Sequence, residues 1–348
     1  MQPHDSTSFR LSVVIPTMGR PILRKTLDSL METDWAADLD IIVVGPIPQG
    51  PTLDYLVGMR ERHANIRHLP VSFAKGDASE KRNAGYRESK AAIIAFIDDD
   101  VYVPPHWPQT VSDCFREPDV GMVSGPSLVP TDITLLARLA GLALSSKAAG
   151  YVAHRYIKGN AEARRVKWSR TIGCNMIFSR AAFEKIVKFD PDFYPGEEMI
   201  AAHGVTQSGF ALVFHPEAYV YHYPKQTFRG FWRQIYRYGA TRIRLIRAGL
   251  DVEWTPLVPA VWVFSLVALG IGAIFHPWFL WLLWLDIGLY GLVAAWIAAG
   301  VVWETKRWSD ALLFFIQPFM HLSYGVGIWM ECFRPDKDLG DAVGKPTT

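Results

Sequence analysis

The chain of 348 residues has a net charge of +2, and half of its residues are hydrophobic. So small an excess of positive charge excludes a strong electrostatic field over the whole chain that would attract nucleic acid. We therefore expect no nucleic-acid partner. The three cysteines are too widely spaced for a zinc or disulfide pattern, and the polar first ten residues do not resemble a signal peptide.

Strands and helices alternate over the first hundred residues. Apolar runs predict strands at 11–16, 40–44, 66–69 and 91–97, and helical spacing predicts helices at 22–32, 54–64 and 79–89. This alternation predicts an α/β fold with a mostly parallel central sheet covered on both faces. Ligands of such sheets bind beyond the carboxyl ends of the strands, so functional side chains are expected directly after them.

Three aspartates, Asp98, Asp99 and Asp100, directly follow the strand at 91–97. Alternation along an extended chain places Asp98 and Asp100 on one side and Asp99 on the other. Two neighbouring carboxylates repel each other unless a cation lies between them, and oxygen ligands suit Mg²⁺ or Mn²⁺. The triplet therefore predicts a site for Mg²⁺ or Mn²⁺, and a solvated acidic turn before the next helix is the alternative.

The order SVVIPTMGRP, DIIVV, KRNAG and AFIDDDV resembles the family 2 inverting glycosyltransferases, which have the GT-A fold. The likeness extends over roughly residues 10 to 240 and depends on the order and spacing of the motifs. It implies that Asp98 and Asp100 form the family's Asp-x-Asp motif for a nucleoside-diphosphate sugar donor. It also implies a set of donor-binding residues, namely Pro16, Thr17, Arg82, Asn83 and Asp99.

A later motif, FYPGEEM, stands where the family usually has Gly-Glu-Asp, whose last acid is the catalytic base. Glu198 replaces that aspartate, so the resemblance implies that Glu198 is the base and makes Glu197 the second candidate. Paired carboxylates raise each other's pKa, which suits a base that works near neutral pH. The alternative is that both acids only stabilise the start of a helix.

Three further segments contain candidates. TIGCNMIFSR resembles the family's acceptor-side strand and includes Asn175, although an ordinary buried strand fits equally well. YVYHY holds His222, where some relatives have a metal ligand; a half-buried strand histidine is the alternative. RQIYRY resembles the family's Gln-x-x-Arg-Trp element and places Gln234 and Arg237 on one helix face, for the donor diphosphate, a lipid-phosphate acceptor or the membrane surface.

Two segments depart from the family pattern. Many relatives have an acid after the second strand that contacts the nucleotide base, but this chain has Val44-Gly45-Pro46. Base recognition is then expected to use other groups, such as Asp77 or the backbone, or the donor is not the common uridine type. The apolar-rich stretch 133–150 predicts either an interfacial amphipathic helix or a core helix.

The composition changes near residue 250. Between Pro256 and Trp303 the single acidic or basic side chain is that of Asp286. Helical spans are predicted at about 257–275, 278–302 and 311–330, with tryptophans near their ends. The third stretch is interrupted by polar residues, so it either crosses the membrane or lies at its interface.

Basic residues predict the orientation of these spans. Arginines precede the first span, and Lys306 and Arg307 follow the second, so both points are expected on the cytoplasmic side, near anionic membrane lipids. We therefore expect a multi-pass protein of the cell membrane. Its predicted parts are a cytoplasmic GT-A domain at 1–248, a transmembrane region at 249–335 and a polar tail at 336–348.

Together these features predict a membrane-anchored, metal-dependent, inverting glycosyltransferase. Its expected acceptor is a lipid-linked or membrane-proximal glycan, which suits polysaccharide synthesis at the cell envelope. One alternative is a processive polysaccharide synthase, for which three spans form a narrow channel at best. The other is an inactive sugar-nucleotide-binding membrane scaffold, which the missing acid after DIIVV and the altered Glu-Asp motif leave open.

Overall fold

A computed structural model describes residues 9–74, 77–159, 162–186, 188–193 and 195–335. The strands are β1 (Leu11–Pro16), β2 (Leu39–Val44), β3 (Ile66–Leu69), β4 (Ile93–Ile97), β5 (Val101–Tyr102), β6 (Val120–Ser124), β7 (Ser127–Leu128), β8 (Arg164–Arg165), β9 (Asn175–Ser179), β10 (Ala211–Phe214) and β11 (Val220–His222). The helices are α1 (Leu23–Met31), α2 (Pro51–Arg62), α3 (Asp77–Glu88), α4 (Trp107–Cys114), α5 (Leu135–Ser145), α6 (Arg180–Lys185), α7 (Glu197–Gln207), α8 (Phe228–Arg247), α9 (Val258–Phe275), α10 (Pro277–Thr305) and α11 (Leu313–Cys332).

The described chain forms two compact units. The first unit contains residues 9–130 and 157–223, and the second contains residues 131–156 and those from 224 onward. The chain therefore leaves the first unit after Pro130, returns at Ile157 and leaves again after Tyr223. This division differs from the change in composition near residue 250, because α5 and the arginine-rich α8 pack with the apolar helices.

An eight-stranded sheet in the order β3-β2-β1-β4-β9-β6-β10-β8 forms the centre of the first unit. The pairs β2–β3, β1–β2, β1–β4 and β6–β10 are parallel, whereas β9 runs antiparallel to both β4 and β6. All six residues of β2 are buried, as expected for a strand covered on both faces. The predicted α/β class with a mostly parallel sheet is confirmed.

One close contact positions α3 against this sheet. A Cβ atom built on Gly85 would lie 2.2 Å from Cγ1 of Val14 in β1, so only glycine allows the helix to approach so closely. Gly85 ends the KRNAG motif, and the same helix carries Arg82 and Asn83. The glycine thus fixes the height of those polar side chains above the strands.

A second sheet of three short strands, in the order β5-β11-β7, lies in the same unit. In the antiparallel pair β5–β11, His222 is the partner of Val101. Because Val101 directly follows Asp100, this register brings His222 next to the end of the aspartate triplet.

Three helical segments of the second unit are long and apolar enough to cross a membrane, by length and composition: Thr255–Phe275, Pro277–Thr305 and Trp308–Cys332. They agree with the predicted spans to within a few residues, and the predicted tail at 336–348 lies outside the described residues. The third segment is 44% buried by the protein, against 6% and 17% for the other two. The third helix is therefore the most enclosed of the three, and its polar side chains can contact other protein groups.

The third helix and its lead-in segment hold polar groups through specific contacts. Asp310 is fully buried and accepts a bidentate ion pair from Arg138 of α5, with an Nε–Oδ1 distance of 2.9 Å and an Nη2–Oδ2 distance of 2.7 Å. His321 lies 2.7 Å from the Tyr290 hydroxyl through Nδ1 and 2.8 Å from the Ala148 carbonyl through Nε2. Satisfied hydrogen bonds of this kind are required where no water is available.

The stretch 133–150, for which the sequence left two alternatives, contains helix α5. Its Leu139, Ala140 and Leu144 join an apolar cluster with Phe231 of α8 and Leu313 of α11, whereas Leu135 at its start is 45% exposed. The helix thus contributes to the core of the second unit and leaves its first turn at the surface.

Candidate active site

The aspartate triplet and His222 converge at the carboxyl end of β4. Asp98, Asp100 and His222 each offer one ligand atom, and these atoms all lie within 4.8 Å of one another. The His222 Nε2 atom is 3.2 Å from Oδ1 of Asp100. Burial lowers the pKa of the His222 imidazole, but the Asp100 carboxylate outweighs it and holds the pKa well above its ordinary value. The grouping agrees with the predicted shared side of Asp98 and Asp100.

Asp99 points to a different set of partners. Its Oδ2 atom accepts a 2.6 Å hydrogen bond from the hydroxyl of Thr17, which directly follows β1. Arg20, three residues further on, forms ion pairs with Asp99 and with Asp100, the latter at 2.9 Å. Burial lowers the pKa of Arg20, but the two aspartates outweigh it and raise the pKa above its ordinary value. Arg20 therefore supplies positive charge beside the triplet.

Arg82 of α3 connects the triplet to the second acidic motif. Its Nη2 atom is 3.0 Å from Oδ1 of Asp98, and its Nη1 atom is 2.6 Å from Oε1 of Glu197. Arg82 is 5% exposed and Glu197 is 3% exposed, so this pair is shielded from water. Burial lowers the pKa of Arg82, but Asp98 and Glu197 together raise it, so the guanidinium stays charged.

The two glutamates of FYPGEEM begin α7 and have different surroundings. Glu197 uses Oε1 for Arg82 and accepts a 3.0 Å hydrogen bond from the backbone N–H of Gly196 at Oε2. Burial, reinforced by the charge of Glu198, raises the pKa of Glu197 to about 7. Glu198 is partly exposed and packs against Gly173, where an added Cβ would lie 3.2 Å from Cγ of Glu198. Of the two carboxyl groups, that of Glu198 is the more accessible.

Two predicted site residues bind the protein's own backbone. The amide of Asn83 donates to the Phe189 carbonyl at 2.8 Å and accepts from the Phe189 N–H at 3.1 Å. Asn175 is fully buried and donates from Nδ2 to the Ala218 carbonyl at 2.7 Å. Both side chains therefore have a structural function in the first unit, and their roles toward donor and acceptor stay predictions.

The remaining predicted residues lie in different places. Pro16 ends β1 and leads directly into Thr17. Gln234 and Arg237 are on α8 in the second unit, where Arg237 is exposed and Gln234 donates to the Tyr238 hydroxyl at 2.9 Å. The role of both toward a diphosphate or a lipid phosphate stays a prediction.

Two basic residues of the site were not identified from the sequence. Arg20 entered the sequence analysis only as part of the SVVIPTMGRP motif and was given no role, although its position just beyond a parallel strand is where ligand-binding residues occur. Lys81, beside Arg82, is 1% exposed and donates to the Thr17 carbonyl at 2.8 Å and to Asp77. Asp77, considered for base recognition, is thus paired within the protein.

Comparisons with known proteins give a consistent picture. A family model described as "Glycosyltransferase like family 2" matches residues 9–241. A transferase of Methanococcus voltae, the dolichyl N-acetyl-alpha-D-glucosaminyl phosphate 3-beta-D-2,3-diacetamido-2,3-dideoxy-beta-D-glucuronosyltransferase, is 20% identical over 273 residues, which cover 74% of this chain and 80% of that protein. The solved mannosyltransferase PcManGT of Pyrobaculum calidifontis, in complex with GDP-Man and Mn²⁺, is 18% identical with a TM-score of 0.56, and the match covers 94% of this chain and 89% of that one.

Proposed function

Because the chain belongs to glycosyltransferase like family 2, we propose that it transfers a sugar from a nucleoside-diphosphate sugar to a lipid-linked or membrane-proximal glycan, with inversion at the anomeric carbon. The observation that carries this proposal is the convergence in one unit of the metal-ligand group, the Arg82 bridge and the accessible Glu198. The family and the GT-A architecture make the chain a glycosyltransferase, and the finer statements are argued below.

A divalent cation is proposed at Asp98, Asp100 and His222. Two carboxylates and one imidazole within 4.8 Å of one another fit Mn²⁺ or Mg²⁺ in ligand type, and such ions complete their coordination with substrate phosphates. The ion would supply Lewis-acid stabilisation of the departing diphosphate. The Mn²⁺ and GDP-mannose in the structure of the Pyrobaculum mannosyltransferase support this assignment.

Glu198 is proposed as the general base. It takes the proton of the acceptor hydroxyl, and the oxygen then forms a bond to the anomeric carbon while the bond to the diphosphate breaks on the opposite face, which inverts the configuration. Glu197 is less suited to this role, because Arg82 and the Gly196 N–H already occupy both of its oxygens. Arg82 and Glu197 instead position the first turn of α7, which carries Glu198.

The acceptor is proposed to be lipid-linked, and the protein multi-pass with its catalytic unit in the cytoplasm. Support comes from the three candidate spans and from the relative in Methanococcus, whose name describes a dolichyl-phosphate-linked sugar acceptor. The cytoplasm is favoured for the end of α8, which carries Arg244 and Arg247, and for the residues directly after α10, which are Lys306 and Arg307. A His276→Cys variant that also carries Cys332→Ser, since Cys332 is exposed, should then be labelled by an impermeant thiol reagent in intact cells. Labelling only after cell lysis would reverse the orientation.

The test of function compares three conservative variants of the full-length protein. Membranes that contain each variant are incubated with radiolabelled UDP-N-acetylglucosamine or GDP-mannose, and sugar transfer to solvent-extractable lipid is counted. Glu198→Gln should lower transfer by about 10²- to 10⁴-fold, the usual contribution of a general base, while donor-dependent thermal stabilisation persists. Glu61→Gln on α2, an exposed acid, is the matched control and should transfer at the rate of the natural protein.

Other outcomes separate the alternatives. Full activity in Glu198→Gln together with loss of activity in Glu197→Gln would reverse the two roles. Donor binding without any transfer or hydrolysis in the natural protein would favour an inactive scaffold. A ladder of long products in place of a single added sugar would favour a processive synthase.

A further inference from the structure

The end of α10 and the start of the third span enclose a groove of about 660 Å³ within the second unit. Its lining contains four alanines, here called the alanine floor, and three aromatic side chains. The alanines are Ala295, Ala298, Ala299 and Ala311, and the aromatic residues are Trp303, Trp308 and Phe314. The volume lies in the usual range for small-molecule sites, about 300–1,000 Å³. Because both flanking segments are candidate membrane spans, the groove faces the region that hydrocarbon chains would fill.

The lining of this groove includes one cation, and the part of the groove next to it is here called the mouth. Lys306 lines it and is exposed, and its Nζ atom lies 3.9 Å from the centre of the Trp303 ring. The stacked ring orients the ammonium group without neutralising it. The nearest buried acid in sequence, Asp310, is neutralised by its bidentate pair with Arg138, so it does not compete for Lys306.

The backbone of Lys306 is unusual. Among the described residues it is the only one other than glycine with a positive φ, at 56°, where it caps the C-terminus of α10. Helices commonly end there with glycine or asparagine, which tolerate this conformation best. A lysine at this position places an ammonium group, which glycine and asparagine lack, at the negative end of the α10 dipole.

We propose that this groove binds one anionic phospholipid, with an acyl chain along the alanine floor and the phosphate at Lys306. Hydrocarbon fits the alanine and aromatic lining, and the headgroup phosphate complements the single cation at the mouth. The flanking Trp303 and Trp308, which are 76% and 86% exposed, are the side chains that favour the headgroup level of a bilayer. The site is independent of the proposed sugar transfer and of the residues assigned to it.

Photo-crosslinking of the full-length protein in detergent tests this proposal. The probes are phosphatidylglycerol and phosphatidylcholine with identical chains, each with a photoreactive group near the end of one chain, and labelled peptides are located by mass spectrometry. Phosphatidylglycerol should label residues 295–314 about fivefold more than phosphatidylcholine, the factor that corresponds to about 1 kcal/mol for one lysine near anionic lipid. Excess inorganic phosphate should not reduce this labelling, since the acyl chain holds the lipid in place.

Two variants with matched controls separate headgroup from chain. Lys306→Asn keeps a residue suited to positive φ and should remove the preference for phosphatidylglycerol, whereas Arg307→Gln, an exposed neighbour outside the lining, should retain it. Ala299 is an exposed residue of the groove lining, so the larger side chain of Ala299→Phe should occupy the groove and reduce labelling by both lipids. The control Ala268→Phe changes an exposed alanine of α9 outside the lining and should not reduce labelling.

Three results would overturn the proposal. Equal labelling of the groove by the two lipids in the natural protein would show that Lys306 recognises no phosphate. A loss of preference in Arg307→Gln as large as in Lys306→Asn would assign the effect to diffuse surface charge. Absence of lipid labelling from residues 295–314 in the natural protein would show that no phospholipid occupies the groove.

Discussion

Replacement of Arg82 by methionine should destabilise the first unit more than any other single change in the site. Arg82 contacts Glu197 at 2.6 Å and Asp98 at 3.0 Å. Glu197 has a 3% exposed side chain, so its charge would be left without a partner and without water, whereas Asp98, with 31% of its side chain exposed, would be partly hydrated. Removal of one partner from a buried ion pair costs about 3–5 kcal/mol.

That cost translates into a measurable shift of the melting temperature. For a unit of roughly 200 residues, 1 kcal/mol corresponds to about 2–4 °C, so Arg82→Met should melt roughly 6–20 °C below the natural protein. Thermal unfolding of the detergent-solubilised full chain from about pH 7 to about pH 10 measures this. Arg82 lowers the pKa of Glu197, which lies near 7 in the natural protein, so its loss raises that pKa further and the full cost appears at the alkaline end, where the carboxyl is ionised. At about pH 5 the carboxyl is protonated and the loss of Arg82 should cost less.

The double variant Arg82→Met/Glu197→Gln gives the decisive comparison. Glutamine removes the unpaired charge, so the double variant should recover most of the stability that Arg82→Met loses. Arg82→Lys keeps the positive charge, but an ammonium group cannot contact both carboxylates as the planar guanidinium does. Its melting temperature should therefore lie between those of Arg82→Met and the natural protein. A melting temperature of Arg82→Met within about 2 °C of the natural protein, or no recovery in the double variant, would refute the reasoning.

Three further predictions concern charge and burial. The pKa of Glu197 is raised from 4.5 to about 7, so the native state binds its proton more tightly than the unfolded state, and Glu197 should contribute about 3 kcal/mol less to the free energy of unfolding at pH 7 than at pH 4.5. The melting temperature of Glu197→Gln should lack this decline with pH, and the same pH dependence in variant and natural protein would contradict the prediction. Asp100→Asn should abolish the rise in melting temperature caused by Mn²⁺, whereas the exposed-acid control Asp113→Asn should keep it; retention in both would remove Asp100 from the metal site. Arg138→Met leaves the buried Asp310 unpaired and should cost about 3–5 kcal/mol, which the added change Asp310→Leu should largely restore in thermal unfolding; equal loss in both would argue against the pair.

The parts of the fold that the sequence predicted are those with local, periodic signals. The strand bounds Leu11–Pro16 and Ile66–Leu69 agree with the prediction, because each is a short apolar run between clear turn signals. The three long apolar helices were predicted for the same reason, since some twenty residues without charge form a clear local pattern, and that they cross a membrane stays a prediction. Asp98 and Asp100 lie together as predicted, but not through strand alternation, because β4 ends at Ile97 and a turn follows in which the Val101 N–H donates to the Asp98 carbonyl at 3.2 Å.

The parts that the sequence did not predict depend on contacts between distant segments. Nothing near Arg138 indicates that its partner is Asp310, 172 residues later, so the membership of α5 in the second unit was hidden. The Arg82–Glu197 pair spans 115 residues, and the resemblance assigned Arg82 to the donor without indicating this bridge. Arg20 was missed because its ion pairs with Asp99 and Asp100 join segments about 80 residues apart, which no local pattern indicates.

The interleaving of the two units limits how this enzyme could be cut or recombined. A truncation after Leu250 would leave α5 in the product but remove Leu313 and Met320 from its apolar cluster, Asp310 from its ion pair and the His321 contact at Ala148. Such a fragment would expose the apolar surface of α5 to water and would aggregate rather than become a free soluble domain. Isolation of the catalytic unit therefore requires the removal of two segments, residues 131–156 and everything after Tyr223. Fusion of two genes at a single junction would not produce two units that alternate along the chain in this way.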